Sequence, residues 1–182
     1  MSSNYELDKK RYGNNKMPSF QRYWRYSVEM KGIRKIIYKI LFKIERDKRN
    51  IDWADSLEIG PGLFLAHVSG ITINPQVKIG KNCNIHKGVT IGQENRGPRK
   101  GTPIIGDEVW IGINATIVGK VKIGNDVLIA PNSYVNFDVP DHSIVIGNPA
   151  TIKHCDCATQ QYINNSTFPA NICKQCLYKL GL

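Results

Sequence analysis

What this 182-residue chain lacks narrows its class before any motif is read. No apolar run approaches the ~20 residues of a membrane-spanning helix. The N-terminus is polar and carries no signal-peptide hydrophobic region, so a cytoplasmic protein is expected. Helix-turn-helix and base-stacking signatures are absent, which leaves nucleic-acid binding with nothing but charge behind it, and no such partner is expected. Histidine is scarce, at four residues, and acidic residues are outnumbered 25 to 15. That imbalance is local. Residues 1–50 hold fourteen Lys/Arg against five Asp/Glu, or +9 of the net +10, so the rest of the chain is nearly neutral. A basic arm suits an anionic partner such as a phosphate group, a membrane face or a polymer, and a merely solvated cationic face has the same composition.

What the chain has is a repeat. Ile59 and Leu65, then Ile73, Ile79, Ile85 and Ile91, then Ile105, Ile111, Ile117, Ile123, Ile129 and Val135 recur at a step of six residues within each block. Four places after most of them stands a small or β-branched residue: Ser69, Val77, Cys83, Val89, Val109, Ala115, Val121, Val127, Ser133 or Val139. Glycine often follows the aliphatic residue, as at Gly60, Gly80, Gly106, Gly112 and Gly124. A short fixed period marks a solenoid, in which one repeat cannot bury its apolar face alone. Six residues suit one side of a triangular β-helix, a short strand and a corner that tolerates a tight turn. Ordinary alternation would not keep this phase over so many hexads. The expected fold is an all-β solenoid with a short N-terminal α-helical segment. Its parts are a basic helical segment at 1–50, the β-helix at 51–153 and a cysteine-containing tail at 154–182.

Two interruptions stand out. The step from Leu65 to Ile73 is two residues too long, and residues 93–103 break the pattern altogether. Loops extruded from a rigid scaffold are a common place for function. Ahead of the repeat, Phe20, Tyr23, Trp24 and Tyr26 precede an amphipathic helix with Ile33, Ile36, Ile37, Ile40, Leu41 and Ile44 opposite Lys31, Arg34, Lys35, Lys39, Lys43 and Arg46. That apolar face is expected to cover the open end of the solenoid or to pack on a neighbouring subunit; contact with a membrane surface is the competing use. Cys83, in an inward slot, reads as a small core residue. Cys155, Cys157, Cys173 and Cys176 in the tail admit a four-thiolate zinc site, free thiols or disulfides.

The residues around His67 carry a resemblance. His67-Val68-Ser69-Gly70-Ile71, Gly88-Val89-Thr90-Ile91-Gly92, Ile105-Gly106-Asp107, Ile111-Gly112 and Gly147-Asn148-Pro149-Ala150 look like the hexapeptide-repeat acyltransferases, and within them most like the serine O-acetyltransferases and their relatives in polysaccharide gene clusters. The resemblance covers roughly residues 51–153. It implies a left-handed parallel β-helix, a homotrimer with active sites between subunits, acetyl-CoA as co-substrate and no metal for catalysis. It implies His67 as the catalytic histidine and Asp52 as its carboxylate, with Asp55 and Glu58 as alternatives in a shifted first coil. The chemistry agrees: an imidazole with a pKa near ~6.5 can take the proton of an attacking hydroxyl, and a carboxylate on its other nitrogen fixes the tautomer.

By position, the family's coenzyme A groove falls on Gly112, Ile113 and Pro131, with Asn136 nearby. The family lysine expected there is Phe137 here, so Lys120 or Lys153 is left to meet the 3′-phosphate. The acceptor side departs further. The family's Asp before the histidine is Ala66, and its Arg-His pair at the end of the extruded loop is Gly101-Thr102. Those groups hold the charged ends of serine, and charge-assisted contacts are the strong ones. Either Arg96, Arg99 or Lys100 takes over carboxylate binding, or the acceptor is a sugar hydroxyl read by the loop and Trp110. Of the rival readings, the γ-type carbonic anhydrases share the fold but need three zinc-binding histidines, and His67, His86, His142 and His154 are not so spaced. A trimeric scaffold for anionic partners is the non-enzyme reading, and it has no use for a His67–Asp52 pair.

Overall fold

The computed structural model describes residues 3–164. Three helices come first: α1 (Asn4–Arg11), α2 (Ser19–Glu29) and α3 (Gly32–Lys48). Strands then wind as coils of three. They are β1 (Asp52–Trp53), β2 (Glu58–Ile59) and β3 (Phe64–Ala66); β4 (Thr72–Ile73), β5 (Lys78–Ile79) and β6 (Asn84–His86); β7 (Thr90–Gly92), β8 (Ile104–Ile105) and β9 (Trp110–Ile111); β10 (Thr116–Val118), β11 (Lys122–Ile123) and β12 (Val127–Ile129). A last coil holds β13 (Tyr134–Val135) and β14 (Ser143–Gly147), and β15 (Ala150–His154) folds back antiparallel on β14. Three parallel sheets result: β1-β4-β7-β10-β13, β2-β5-β8-β11 and β3-β6-β9-β12-β14. We call these faces A, B and C.

Register explains the period. Ile59 pairs with Ile79, Leu65 with Ile85 and Ile91 with Ile117, so each inward aliphatic stacks on its equivalent one coil away. Ile73, Ile85, Ile91, Ile111, Ile117, Ile123 and Ile129 are wholly buried. Trp53 continues the column one hexad ahead of Ile59. Cys83 is buried too, its Sγ 3.3 Å from the Gly106 carbonyl, and burial pushes its thiol up to about 12. One expected slot is corrected. Ser69 is exposed, and Ile71 fills the buried position instead, because the two-residue excess after Leu65 displaces the phase.

The first coil is closed by α1 and α2, not by the isoleucine face of α3. Phe20 and Trp24 meet Trp53 edge-on, with ring centroids 5.4 and 5.1 Å apart. The open backbone edge is satisfied by side chains. Asp8 accepts from the Gly62 and Leu63 amides at 2.9 and 3.0 Å, and Arg25 donates to the Ile59 and Gly60 carbonyls. An exposed edge of unpaired amides invites pairing with another chain, and these contacts remove it. Asp8 and Arg25 also bond each other at 2.7 Å, both essentially without solvent contact. On α3, Phe42 packs on Phe20 and Tyr38 on Tyr26, and the Ile33, Ile36, Ile37, Ile40 and Ile44 side chains face away.

Candidate functional site at the C–A corner

β3 ends at Ala66, and the corner leading to β4 holds His67. Its backbone is left-handed, with φ 54°, a region that His, Asn and Asp enter more readily than other side chains. Gly70, at φ 62°, is the second left-handed residue of this lengthened corner. The Gly70 amide donates to the Arg49 carbonyl at 3.1 Å and the Asp52 amide to the Ile71 carbonyl at 2.9 Å. The corner thus runs beside the start of β1. Asp52 and His67 are both exposed there, and among the described residues no hydrogen bond joins them.

The strand under His67 is fixed from the N-terminal helices. The Leu65 amide donates to the Tyr12 hydroxyl at 2.8 Å, which donates in turn to Gln21 at 2.5 Å. Tyr12 stacks on Phe64, with centroids 4.6 Å apart, and burial raises its phenol far above the ordinary range. One coil on, Ala66 pairs with His86. His86 Nδ1 lies 2.9 Å from the Ile111 carbonyl. A carbonyl only accepts, so the neutral ring carries its proton on Nδ1 and leaves Nε2 as an acceptor. Burial pulls this imidazole below its ordinary value, and the positive charge His67 can carry adds to that. Two unlike histidines therefore line this corner, one exposed and one half-buried with its Nδ1 turned to the Ile111 carbonyl.

Trp110 does not offer a bare platform. His86 lies 4.5 Å from its ring and Tyr162 5.2 Å on another side. Gly112 and Ile113 follow β9 at the same corner, with Pro131 one coil beyond. A Cβ on Gly112 would come 2.7 Å from the Pro131 nitrogen, so close approach of the coils accounts for this glycine. The Gly112 amide already donates to Ile129, and the Ile113 carbonyl already accepts from Asn132.

The remaining candidates lie elsewhere on the triangle. Arg96, Arg99 and Lys100 project from the loop between β7 and β8, where Glu94 and Gly101 form a two-bond antiparallel bridge at 3.0 and 2.9 Å. Thr102 donates to the Gln76 carbonyl at 3.4 Å. Asn136, exposed, follows β13 on the same A–B side. Within one chain the structure brings Ala66, His67, Asp52, Gly112, Ile113 and Pro131 to the C–A corner. It leaves Arg96, Arg99, Thr102 and Asn136 at the A–B corner. A cavity of about 460 Å³ lined by Trp24, Arg25, Asp55, Glu58 and Lys78 lies against face B and takes in neither group.

Some residues that shape the corner had no signal in the repeat. Asp126 accepts from the Ala158 and Thr159 amides, from the Thr159 hydroxyl and from His142 Nδ1 at 2.8 Å. This seats residues 155–162 against face C, beside Trp110. Among the described residues no cluster of three or more His, Cys, Asp or Glu is placed to hold a metal. Cys155 is buried and Cys157 half-buried; Cys173 and Cys176 lie outside the described residues.

Comparison with known proteins finds relatives of one kind. The family model "Bacterial transferase hexapeptide (six repeats)" matches residues 102–136. A Staphylococcus aureus serine acetyltransferase is 36% identical over 118 residues, which is 65% of this chain and 55% of that protein. The chain therefore spans about half the length of this relative. The Neisseria gonorrhoeae serine acetyltransferase solved in complex with serine superposes with a TM-score of 0.63 at 28% identity, over 82% of this chain and 67% of that one. A serine acetyltransferase solved with CoA gives 0.58 at 27% identity, over 74% and 54%.

Proposed function

Because the chain belongs to the hexapeptide-repeat acyltransferases, on their serine acetyltransferase-like branch and with their left-handed parallel β-helix, we propose that it transfers an acetyl group from acetyl-CoA to a hydroxyl. The observation that carries this reading is His67, an exposed imidazole at an over-long corner, within the motif His67-Val68-Ser69-Gly70-Ile71 that resembles those enzymes. In the proposed reaction His67 removes the acceptor proton as its oxygen attacks the thioester carbonyl. The tetrahedral species collapses with loss of the CoA thiolate, which takes the proton back from the imidazolium. Asp52, across the corner, stabilises that imidazolium. With Nδ1–H donated to the Ile111 carbonyl, His86 offers Nε2 as a hydrogen-bond acceptor.

The working unit is proposed to be a homotrimer. One chain holds His67 and Asp52 at one corner and the cationic loop at another. A neighbour's A–B corner against this C–A corner would complete a site from both halves, with CoA along the groove past Gly112, Ile113 and Pro131 and near Asn136. Of the acceptors, L-serine is supported by the relatives' activity. A neutral sugar hydroxyl is supported by Ala66, which puts no carboxylate beside His67, and by Thr102, whose hydroxyl is turned to the Gln76 carbonyl.

The test is thiol release from acetyl-CoA with L-serine and with a sugar and nucleotide-sugar panel, wild type against His67→Asn. Asparagine accepts the left-handed backbone, so the fold persists while the base is lost. Turnover is expected to fall by about 10²–10⁴-fold. Undiminished turnover in the variant would refute the role of His67, and the acceptor that supports turnover identifies the branch.

A further inference from the structure

The isoleucine stripe of α3 has no partner among the described residues. Ile33, Ile36, Ile37, Ile40 and Ile44 are between 48% and 69% exposed, at spacings that place them on one face of a 17-residue helix. The side of the helix that holds Tyr38, Phe42 and Glu45 is engaged with the rest of the protein. Tyr38 lies against Tyr23 and Tyr26, Phe42 against Phe20, and Glu45 takes Ser19 and Arg49. Soluble surfaces seldom leave such a contiguous apolar stripe open without use.

The charges around it select the partner. Residues 31–49 hold eight Lys/Arg against Glu45 and Asp47 alone. Arg34, on one flank, and Lys39 and Lys43, on the other, are exposed, and Lys39 also reaches Asp55. Two such stripes facing each other would set cation against cation along both rims. An anionic lipid surface instead accepts the isoleucines into its acyl boundary and pairs the rim with headgroups. We propose that α3 is an interfacial helix that docks this protein on an anionic membrane surface, lying in its plane. No helix among the described residues is long and apolar enough to cross a membrane, so the attachment is peripheral.

The experiment is co-sedimentation of the full chain with phosphatidylcholine vesicles and with vesicles carrying phosphatidylglycerol, at low and high salt. Wild type should bind the anionic vesicles only, and weaken as salt shortens the Debye length from about 10 Å. Ile37→Glu/Ile40→Glu, with both changes on exposed positions, should lower vesicle partitioning by about tenfold or more. Arg34→Glu/Lys43→Glu, one change on each flank, should do the same while keeping the stripe. Equal binding to neutral vesicles, or binding that survives Ile37→Glu/Ile40→Glu, would overturn the proposal. So would failure to bind either vesicle, whether the stripe then proves to be covered by a second copy, shown by a sedimenting mass that the isoleucine variant reduces, by residues 165–182 or by an acidic protein. Acetyl transfer in solution is not needed for any of these readouts, so this proposal and the enzymatic one fail separately.

Discussion

Gly80 shows how closely neighbouring coils approach. A Cβ there would fall on the Asp107 carboxylate and come 2.5 Å from the Gly106 carbonyl oxygen. Gly60 and Gly106 meet the coil above in the same way. The left-handed corner positions are taken instead by Asn82, Glu108, Asn114, Asp126, Asn132 and His142. The repeat glycines of this column are therefore a matter of space between coils, where the sequence suggested turn freedom. Gly80→Ala should destabilise by about 1–3 kcal/mol through overpacking, read from a denaturant midpoint. Gly92, with nothing within 4 Å of a Cβ, is the control: Gly92→Ala should leave the midpoint unchanged or raise it. Asp8 is the other sensitive single residue. Asp8→Asn leaves Arg25 buried beside a neutral amide and should cost about 3–5 kcal/mol, measured the same way.

At the scale of the element, the turn after β15 hangs on one carboxylate. Asp126 receives two amides and a hydroxyl from residues 158–159 and the His142 imidazole. Its side-chain hydrogen bond with Asp126 raises the His142 pKa. A group with a raised folded pKa contributes stability that is fully present below its unfolded value, near ~6.5, and is lost as pH climbs through the folded one. The melting-temperature gap between wild type and His142→Asn should therefore be widest below that value and close as pH rises above neutrality; a gap that widens with pH would reverse the assignment. This element also marks the limit of what the residues announced. The coils were legible because each inward residue obeys one rule, repeated from Ile59 to Val135. The lengthened corner that holds His67 was legible because the same rule fails there by two residues, whereas the role expected of His67 came from the resemblance of the residues around it. The seating of residues 155–162, the Tyr12 support under β3 and the closing role of α2 rest on single contacts between distant parts of the chain, and single contacts have no period. The isoleucines of α3 were legible as a stripe, but the repeat gave no reason to expect that Phe20 and Trp24 would take the solenoid end first.

For the molecule as a whole, the separation of His67 from the cationic loop would, under the proposed function, make assembly a condition of activity. Sedimentation should give three times the 20.5 kDa chain, and dilution below the assembly threshold should abolish turnover per chain rather than reduce it in proportion. Solenoids ordinarily transmit stability only from one repeat to the next, so that their ends fray independently. Here residues 155–164 leave the last coil and run back to α1 and the second coil: Arg11 of α1 donates to the Asn164 carbonyl at 2.9 Å and to the Gly62 carbonyl of the first coil at 2.7 Å, and Asn84 of β6 donates to the Tyr162 carbonyl at 3.0 Å. That strap converts a linear stack into a closed circuit. A coil at either end can then open only by releasing the other, and the five-coil stack should melt as one unit instead of peeling from its termini.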